Sequence, residues 1–265
     1  MFIPKKKCIS SALLSSLIAA GVVGGGLKAE TQNAIQPLES EAVWTPGMTI
    51  MQDIRQECSS LSGRQFGECF ANGMQKAGAS PQAVAFTHRI DNTGYMRDFR
   101  PVGRVSIAYV NFPFRANENQ GAYLVNGTPS LINIDDQSLL AKSELKKNPV
   151  YTRLAKKYSE ITLFPDDRSG TSYLIAERLP RGEQRFIVGY RLQNVCHACE
   201  RVGKARFAFD FDSTGKFLGT KLISVTAADQ EPAARRRGEA QEEAAIAQLF
   251  LRSTLLPFST ESIRG

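Results

Sequence analysis

The sequence predicts an α+β protein in which helices pack on antiparallel β-meander sheet, and three observations carry that reading. Apolar residues recur at helical spacing in two blocks, Thr49 to Gly78 and residues 137 to 158. Beyond each block the period changes to two, and turn-forming residues punctuate the short runs. A composition of 42% hydrophobic and 22% charged residues over 265 positions suits a chain that buries a core and excludes a disordered or collagen-like one.

Taken in chain order, residues 1–29 read as a secretory signal peptide. Lys5, Lys6 and Lys7 form a basic start, Cys8 to Leu27 is uncharged and largely apolar, and Ala29 offers a small residue at the cut. Residues 30–48 are polar and proline-bearing, an extended arm that Trp44 pins to the body. The first α+β half, 49–136, opens with Ile50, Ile54, Leu61, Phe66, Phe70 and Met74 in helical register, broken by Ser59-Ser60-Leu61-Ser62-Gly63 and stopped by Gly78 and Pro81. This predicts a broken helix or helical hairpin.

Strands follow at Ala83 to Ile90, before the turn Asp91-Asn92-Thr93-Gly94, and at Val102 to Phe112. Ala122 to Val125 joins Ser130 to Ile134 through Asn126-Gly127, a pair suited to a type I′ turn because both central residues need positive φ. The second α+β half, 137–228, begins with helix interrupted near Asn148-Pro149 and continues as strands Ser172 to Leu179, Arg185 to Leu192, Gly203 to Phe211 and Lys216 to Val225. Residues 229–265 are a charged segment with Arg235-Arg236-Arg237 and a helix around Glu242 to Leu255. Val102-Gly103-Arg104 through Ile107-Ala108-Tyr109 aligns with Val202-Gly203-Lys204 through Phe207-Ala208-Phe209 at an offset of 100, which accommodates two similar α-β4 halves.

The formal charge of +7 suggests a polyanionic partner, but Lys5, Lys6, Lys7 and Lys28 lie in the leader. The remaining chain holds 29 basic against 26 acidic residues, close to neutral. The expectation is no nucleic-acid partner, and no membrane span once the leader is removed. Removing it also discards Cys8 and leaves Cys58, Cys69, Cys196 and Cys199, an even count that favours two disulfides in an exported, periplasmic or secreted chain. Three pairings satisfy the count. The local one joins Cys58 to Cys69 and requires a bend between them, because eleven residues of straight helix span roughly 16 Å against about 5.5 Å in a disulfide.

The sharpest chemical feature is Cys196-His197-Ala198-Cys199. A haem attachment site needs His directly after the second Cys, where this chain has Glu200. Thiol-disulfide exchange with Cys196 as the attacking thiolate fits the spacing, but the motif runs straight into an alternating strand rather than a helix. At a hairpin tip the pair would instead close a small ring and present His197 outward, with Cys196, Cys199 and Glu200 as its neighbours on a partner-binding loop. Zinc would need ligands drawn from distant residues such as Cys58, Cys69 or His88. No cofactor and no metal site are expected.

Enzyme signatures are sparse. His88 and Asp91 are three apart on an expected strand, no Ser sits in a Gly-x-Ser-x-Gly context, and His88 and His197 are the only histidines. Asp135-Asp136 and Asp166-Asp167 read as turn and cap residues, and Asp210 to Gly215 as a hairpin turn, since Lys221 stands where a calcium loop needs Glu. A second ligand loop is suggested by Asn111 to Gln120, which mixes aromatics, amides and Arg115; Arg115 and Asn117 are its contact residues.

The run Gly182-Glu183-Gln184, Phe186-Ile187-Val188, the Cys196-His197-Ala198-Cys199 loop, Phe207-Ala208-Phe209 and Leu222-Ile223-Ser224-Val225, with a helix near Glu243 to Leu251, resembles the Ivy-type periplasmic inhibitors of lysozyme. That resemblance covers residues 170–255 and implies a non-catalytic protein whose disulfide-closed loop offers His197 to a muramidase cleft. The loop here has two residues between its cysteines, fewer than in that family. A periplasmic thiol-disulfide oxidoreductase and a structural exported protein without a small-molecule site are the alternative functions.

Overall fold

Trp44 fixes the chain before the first helix. Its ring meets Tyr95 edge-on at 5.1 Å, and its backbone N–H donates to Met96 O at 2.9 Å. The computed structural model describes residues 36–115, 119–166 and 173–230. The signal-peptide reading of 1–29, Asn117, and the helix expected around Glu242 to Leu255 lie outside them. Among the described residues no helix is long and apolar enough to cross a membrane.

The broken helix takes the form of two helices, α1 (Met48–Cys58) and α2 (Gly63–Lys76), with Gly63 at φ +54 where the chain turns. Cys58 and Cys69 are bridged across that bend with Cα atoms 5.8 Å apart, so the local pairing is the one formed. A third helix, α3 (Pro81–Arg89), occupies the segment expected to be a strand. Its buried residues Ala83, Phe86 and Thr87, with Ile90 just past its end, follow helical spacing. Ser80 Oγ accepts the Ala83 N–H and Pro81 takes the first helical position, so Pro81, read as a stop for α2, also starts α3.

The first sheet is an antiparallel meander of β1 (Tyr95–Arg100), β2 (Ser106–Asn111), β3 (Gln120–Val125) and β4 (Leu131–Asn133). Strand β1 was not anticipated. Tyr95 and Met96 are both buried, in different apolar clusters, and the register shifts between Met96 and Asp98, so the alternation that marks a strand is lost. One face of the sheet, with Ala108, Val110 and Val125, packs under Phe86 of α3 and Leu38 of the arm. The connection after β3 is not the two-residue turn expected from Asn126-Gly127. Only Asn126 has positive φ, and residues 126–130 bulge outward so that Thr128 pairs with the next half. Thr128 N–H donates to Gly215 O at 2.8 Å, and Phe217 N–H donates to Thr128 O at 2.9 Å. Gly127 is required there, since a Cβ would lie 2.8 Å from Gly215 O.

Two short helices, α4 (Lys142–Lys147) and α5 (Pro149–Lys157), follow, with the Asn148 side chain accepting from the Val150 and Tyr151 N–H groups at the expected interruption. The second sheet contains β5 (Ile161–Pro165), β6 (Leu174–Arg178), β7 (Gln184–Asn194), β8 (Arg201–Phe211) and β9 (Phe217–Ala227), all antiparallel. Strand β5, also unanticipated, and β6 pair with opposite ends of the long β7.

The inner face of this sheet, with Phe186, Val188, Tyr190, Phe207, Phe209 and Phe211, joins Ile107, Tyr109 and Leu124 of the first sheet in one core. Each such side chain contributes about 1.5–3 kcal/mol on burial. The two halves are therefore fused through a shared interior, a fold of the expected α+β class. Gln184 stitches them further: its Oε1 accepts from Val105 N–H at 2.8 Å and its Nε2 donates to Val105 O at 3.0 Å, both buried.

Candidate functional site

Strands β7 and β8 are both 11 residues long and end together at residues 195–200. The tip between them is tightly bonded. Asn194 N–H donates to Glu200 O, Cys199 N–H to Cys196 O, and Gln193 Nε2 to Cys199 O. Cys196 and Cys199 are bridged with Cα atoms 5.0 Å apart, completing the two expected disulfides. Val195 enters the tip at φ +70, a conformation costing a β-branched residue about 1–3 kcal/mol. It is held by Val195 N–H donating to Glu160 O and by Thr162 Oγ1 donating to Val195 O.

His197 does not project from this tip as expected. It is half-buried and folds back onto the outer side of β5 and β7, where its ring meets Phe164 edge-on at 5.0 Å. Its Nε2 lies 2.9 Å from Arg191 Nη2. A guanidinium has only donors, so this contact is a hydrogen bond in the form of the ring whose Nε2 is free to accept. Arg191 is 3% exposed and lies opposite Phe164 on β5 and Lys204 on β8. Asp166, also buried, is 3.9 Å from Arg191 Nε and pairs with Lys204 Nζ. A buried cluster of one carboxylate and two cations thus underlies the histidine.

The other residues expected at the tip are exposed or half-exposed: Cys196, Ala198 and Glu200 face solvent, and Cys199 is partly covered. Glu200 accepts from Tyr158 OH at 3.1 Å, which ties the tip to the end of α5. Neither cysteine stands at a helix N-terminus, the setting that lowers a thiol pKa in exchange catalysts.

The second expected contact loop has a different use for its aromatics. The Arg115 guanidinium sits 3.6 Å from the centroid of Phe112 and 4.0 Å from Asp135 Oδ2. Phe114 inserts between Phe66 and Phe70 at 4.6 and 5.1 Å, and Arg55 donates to Pro113 O at 2.6 Å. The loop is a clasp on the α1–α2 hairpin. On the far side of that hairpin a groove of about 720 Å³ is lined by Glu57, Gln65, Glu68, Asn72 and Lys76, with Lys76 Nζ 2.7 Å from Glu57 Oε1.

His88 is exposed on α3, well separated in sequence and element from the tip, so the two histidines serve no common centre. Among the described residues no group of three His, Cys, Asp or Glu is placed to hold a metal ion. Asp136 caps the 3₁₀ turn that follows it, and Asp212 holds its hairpin turn by accepting from Thr214 and Lys216 N–H groups. Asp166 and Asp210 depart from the turn reading: Asp166 is drawn into the buried cluster, and Asp210 is a buried residue of β8 paired with Arg185. No known family model, curated protein or solved structure matches this chain.

Proposed function

We propose that this is an exported protein that acts by binding, and that its partner-contacting element is the disulfide-closed tip at residues 195–200, with a lysozyme-type muramidase as the partner. The observation that carries this reading is the fixed placement of His197 between Phe164 and Arg191 on a tip closed by Cys196–Cys199. A loop ordered before association loses little entropy on docking, so its contacts convert into affinity. Two disulfides suit an oxidising compartment, in line with the secretory leader read from residues 1–29. A muramidase cleft carries two carboxylates, to which an imidazole N–H can donate.

The test is inhibition of a purified lysozyme by the wild type and by His197→Ala, with circular dichroism confirming that both are folded. The reading predicts inhibition that His197→Ala weakens by at least about tenfold, as for a central contact residue. Equal inhibition by the variant, or none by the wild type, overturns it.

Thiol-disulfide exchange through Cys196 is the second reading, favoured by the exposure of that residue. Equilibration with glutathione buffers separates the two. A potential below about −300 mV marks a permanent clip, and one near −120 to −200 mV marks an exchange catalyst.

A further inference from the structure

The tip at residues 195–200 has two sides, and His197 occupies only one of them. It lies on the outer side of the second sheet, with Phe164 and Arg191. On the other side the chain between α5 and β5 closes against the tip. Tyr158, just past the end of α5, donates from its hydroxyl to Glu200 Oε1 at 3.1 Å, and Val195 N–H donates to Glu160 O at 3.3 Å. The Tyr158 ring packs against the inner-face core, so the two sides of the tip are held by different layers of the molecule. Val195, within the tip itself, is 49% exposed.

This second side carries a cation. Lys157 is exposed, and its ammonium lies 5.0 Å from the centroid of the Tyr158 ring. Tyr158 first, and Glu200 less, push the Lys157 pKa up, so its charge is complete at neutral pH. The Glu200 carboxylate is itself taken up by the Tyr158 hydroxyl, and Lys157 forms no ion pair among the described residues. A positive charge without a carboxylate of its own therefore stands beside the tip. Its neighbours are fixed before any partner arrives, because Glu160, Thr162 and Tyr158 all bond to residues of the tip.

A muramidase cleft has two walls, and its two carboxylates flank the bond that is cut. A tip with a polar donor on one side alone reaches one of them. We propose that Lys157, carried by Tyr158, is the second contact of the tip, so that a cleft receiving residues 195–200 meets the His197 imidazole on one side and the Lys157 ammonium on the other. The ammonium pairs with a carboxylate of the cleft, and exposed Val195 adds apolar contact. This rests on the binding function proposed for the tip. Charge complementarity commits the occupant, since an ammonium closed against a carboxylate away from water makes one of the stronger hydrogen bonds available to a protein surface. Tyr158 acts as a positioning residue, its bond to Glu200 holding the ring beside Lys157.

The experiment titrates the mature, oxidised protein with purified lysozyme and repeats the titration with Lys157→Gln, Lys157→Arg, Lys156→Gln and His197→Ala, thermal melts confirming that each variant folds. The inference predicts affinity at least about tenfold weaker for Lys157→Gln, most of it restored in Lys157→Arg, and a change within about twofold for Lys156→Gln, which removes the same charge one residue away. Equal weakening by Lys157→Gln and Lys156→Gln would reflect net charge alone and overturns the inference. A loss confined to His197→Ala also overturns it and leaves the tip reading standing. Weakening by Lys157→Gln without weakening by His197→Ala supports the Lys157 contact and removes His197 from the tip reading. No binding by the wild type overturns both.

Discussion

Arg191 Nη2 approaches His197 Nε2 to 2.9 Å from beneath, so a buried strand residue sets the orientation of the histidine at the hairpin tip. The contact joins the interior of the second sheet to its most exposed loop.

Replacing Arg191 tests that support. Arg191→Met removes a guanidinium that is 3% exposed and leaves buried Asp166 with Lys204 alone. The expected loss is about 2–4 kcal/mol in chemical denaturation, the scale of breaking a buried ionic contact. His197→Ala, at the half-exposed end of the same contact, should cost less than about 1 kcal/mol. Equal costs for the two would show that Arg191 is not the anchor.

The two disulfides should differ in weight. Loop-closure entropy predicts about 3 kcal/mol for the 11-residue separation of Cys58–Cys69 and about 2 kcal/mol for the three-residue separation of Cys196–Cys199. Cys58 is also fully buried in the cluster with Trp44 and Phe70, so its replacement disturbs packing as well. Cys58→Ser/Cys69→Ser should therefore lower the melting temperature more than Cys196→Ser/Cys199→Ser. The reverse order would contradict the fold's dependence on the helical hairpin.

Asn126 clamps the N-terminal arm. Its Oδ1 accepts from Leu38 N–H at 2.7 Å and its Nδ2 donates to Leu38 O at 2.8 Å. Asn126→Gly keeps the positive φ but removes both bonds, and should cost about 1–2 kcal/mol. Faster hydrogen exchange at the Leu38 amide locates the effect. Unchanged protection at Leu38 would mean that the arm is held elsewhere.

Stability should fall in acid through Asp210. Burial pushes its carboxyl up, but the Arg185 hydrogen bonds and charge, with Lys221, outweigh burial and hold it below the ordinary carboxylate range. A depressed folded pKa means stabilisation that is complete above the unfolded value, about 3.9, and lost as pH falls through the folded one. Denaturation at pH 7 and pH 3 should show this loss, and Arg185→Met should reduce it. A pH dependence unaltered by Arg185→Met would remove Asp210 from the account.

Much of this fold is legible because its strands alternate cleanly. Phe207, Phe209 and Phe211 announce the inner face of β8, and the serine-rich break before Gly63 announces the bend that lets Cys58 meet Cys69. Where one residue has two uses the signal fails. Pro81 both stops α2 and starts α3, and β1 buries its consecutive Tyr95 and Met96 in two different clusters, so it does not alternate. The tip was legible as a cysteine pair on a hairpin, but the direction of His197 was not. It depends on Arg191, which on a strand's outer face resembles any solvated cation until Phe164 and Asp166 arrive from β5.

The most direct measurement is calorimetric titration of a purified lysozyme with oxidised protein and with Cys196→Ser/Cys199→Ser. The account predicts binding by the oxidised protein that weakens at least about tenfold when the ring cannot close, because the loop must then be ordered at the moment of docking. Equal affinity for the two, or no heat of binding from the oxidised protein, would contradict it.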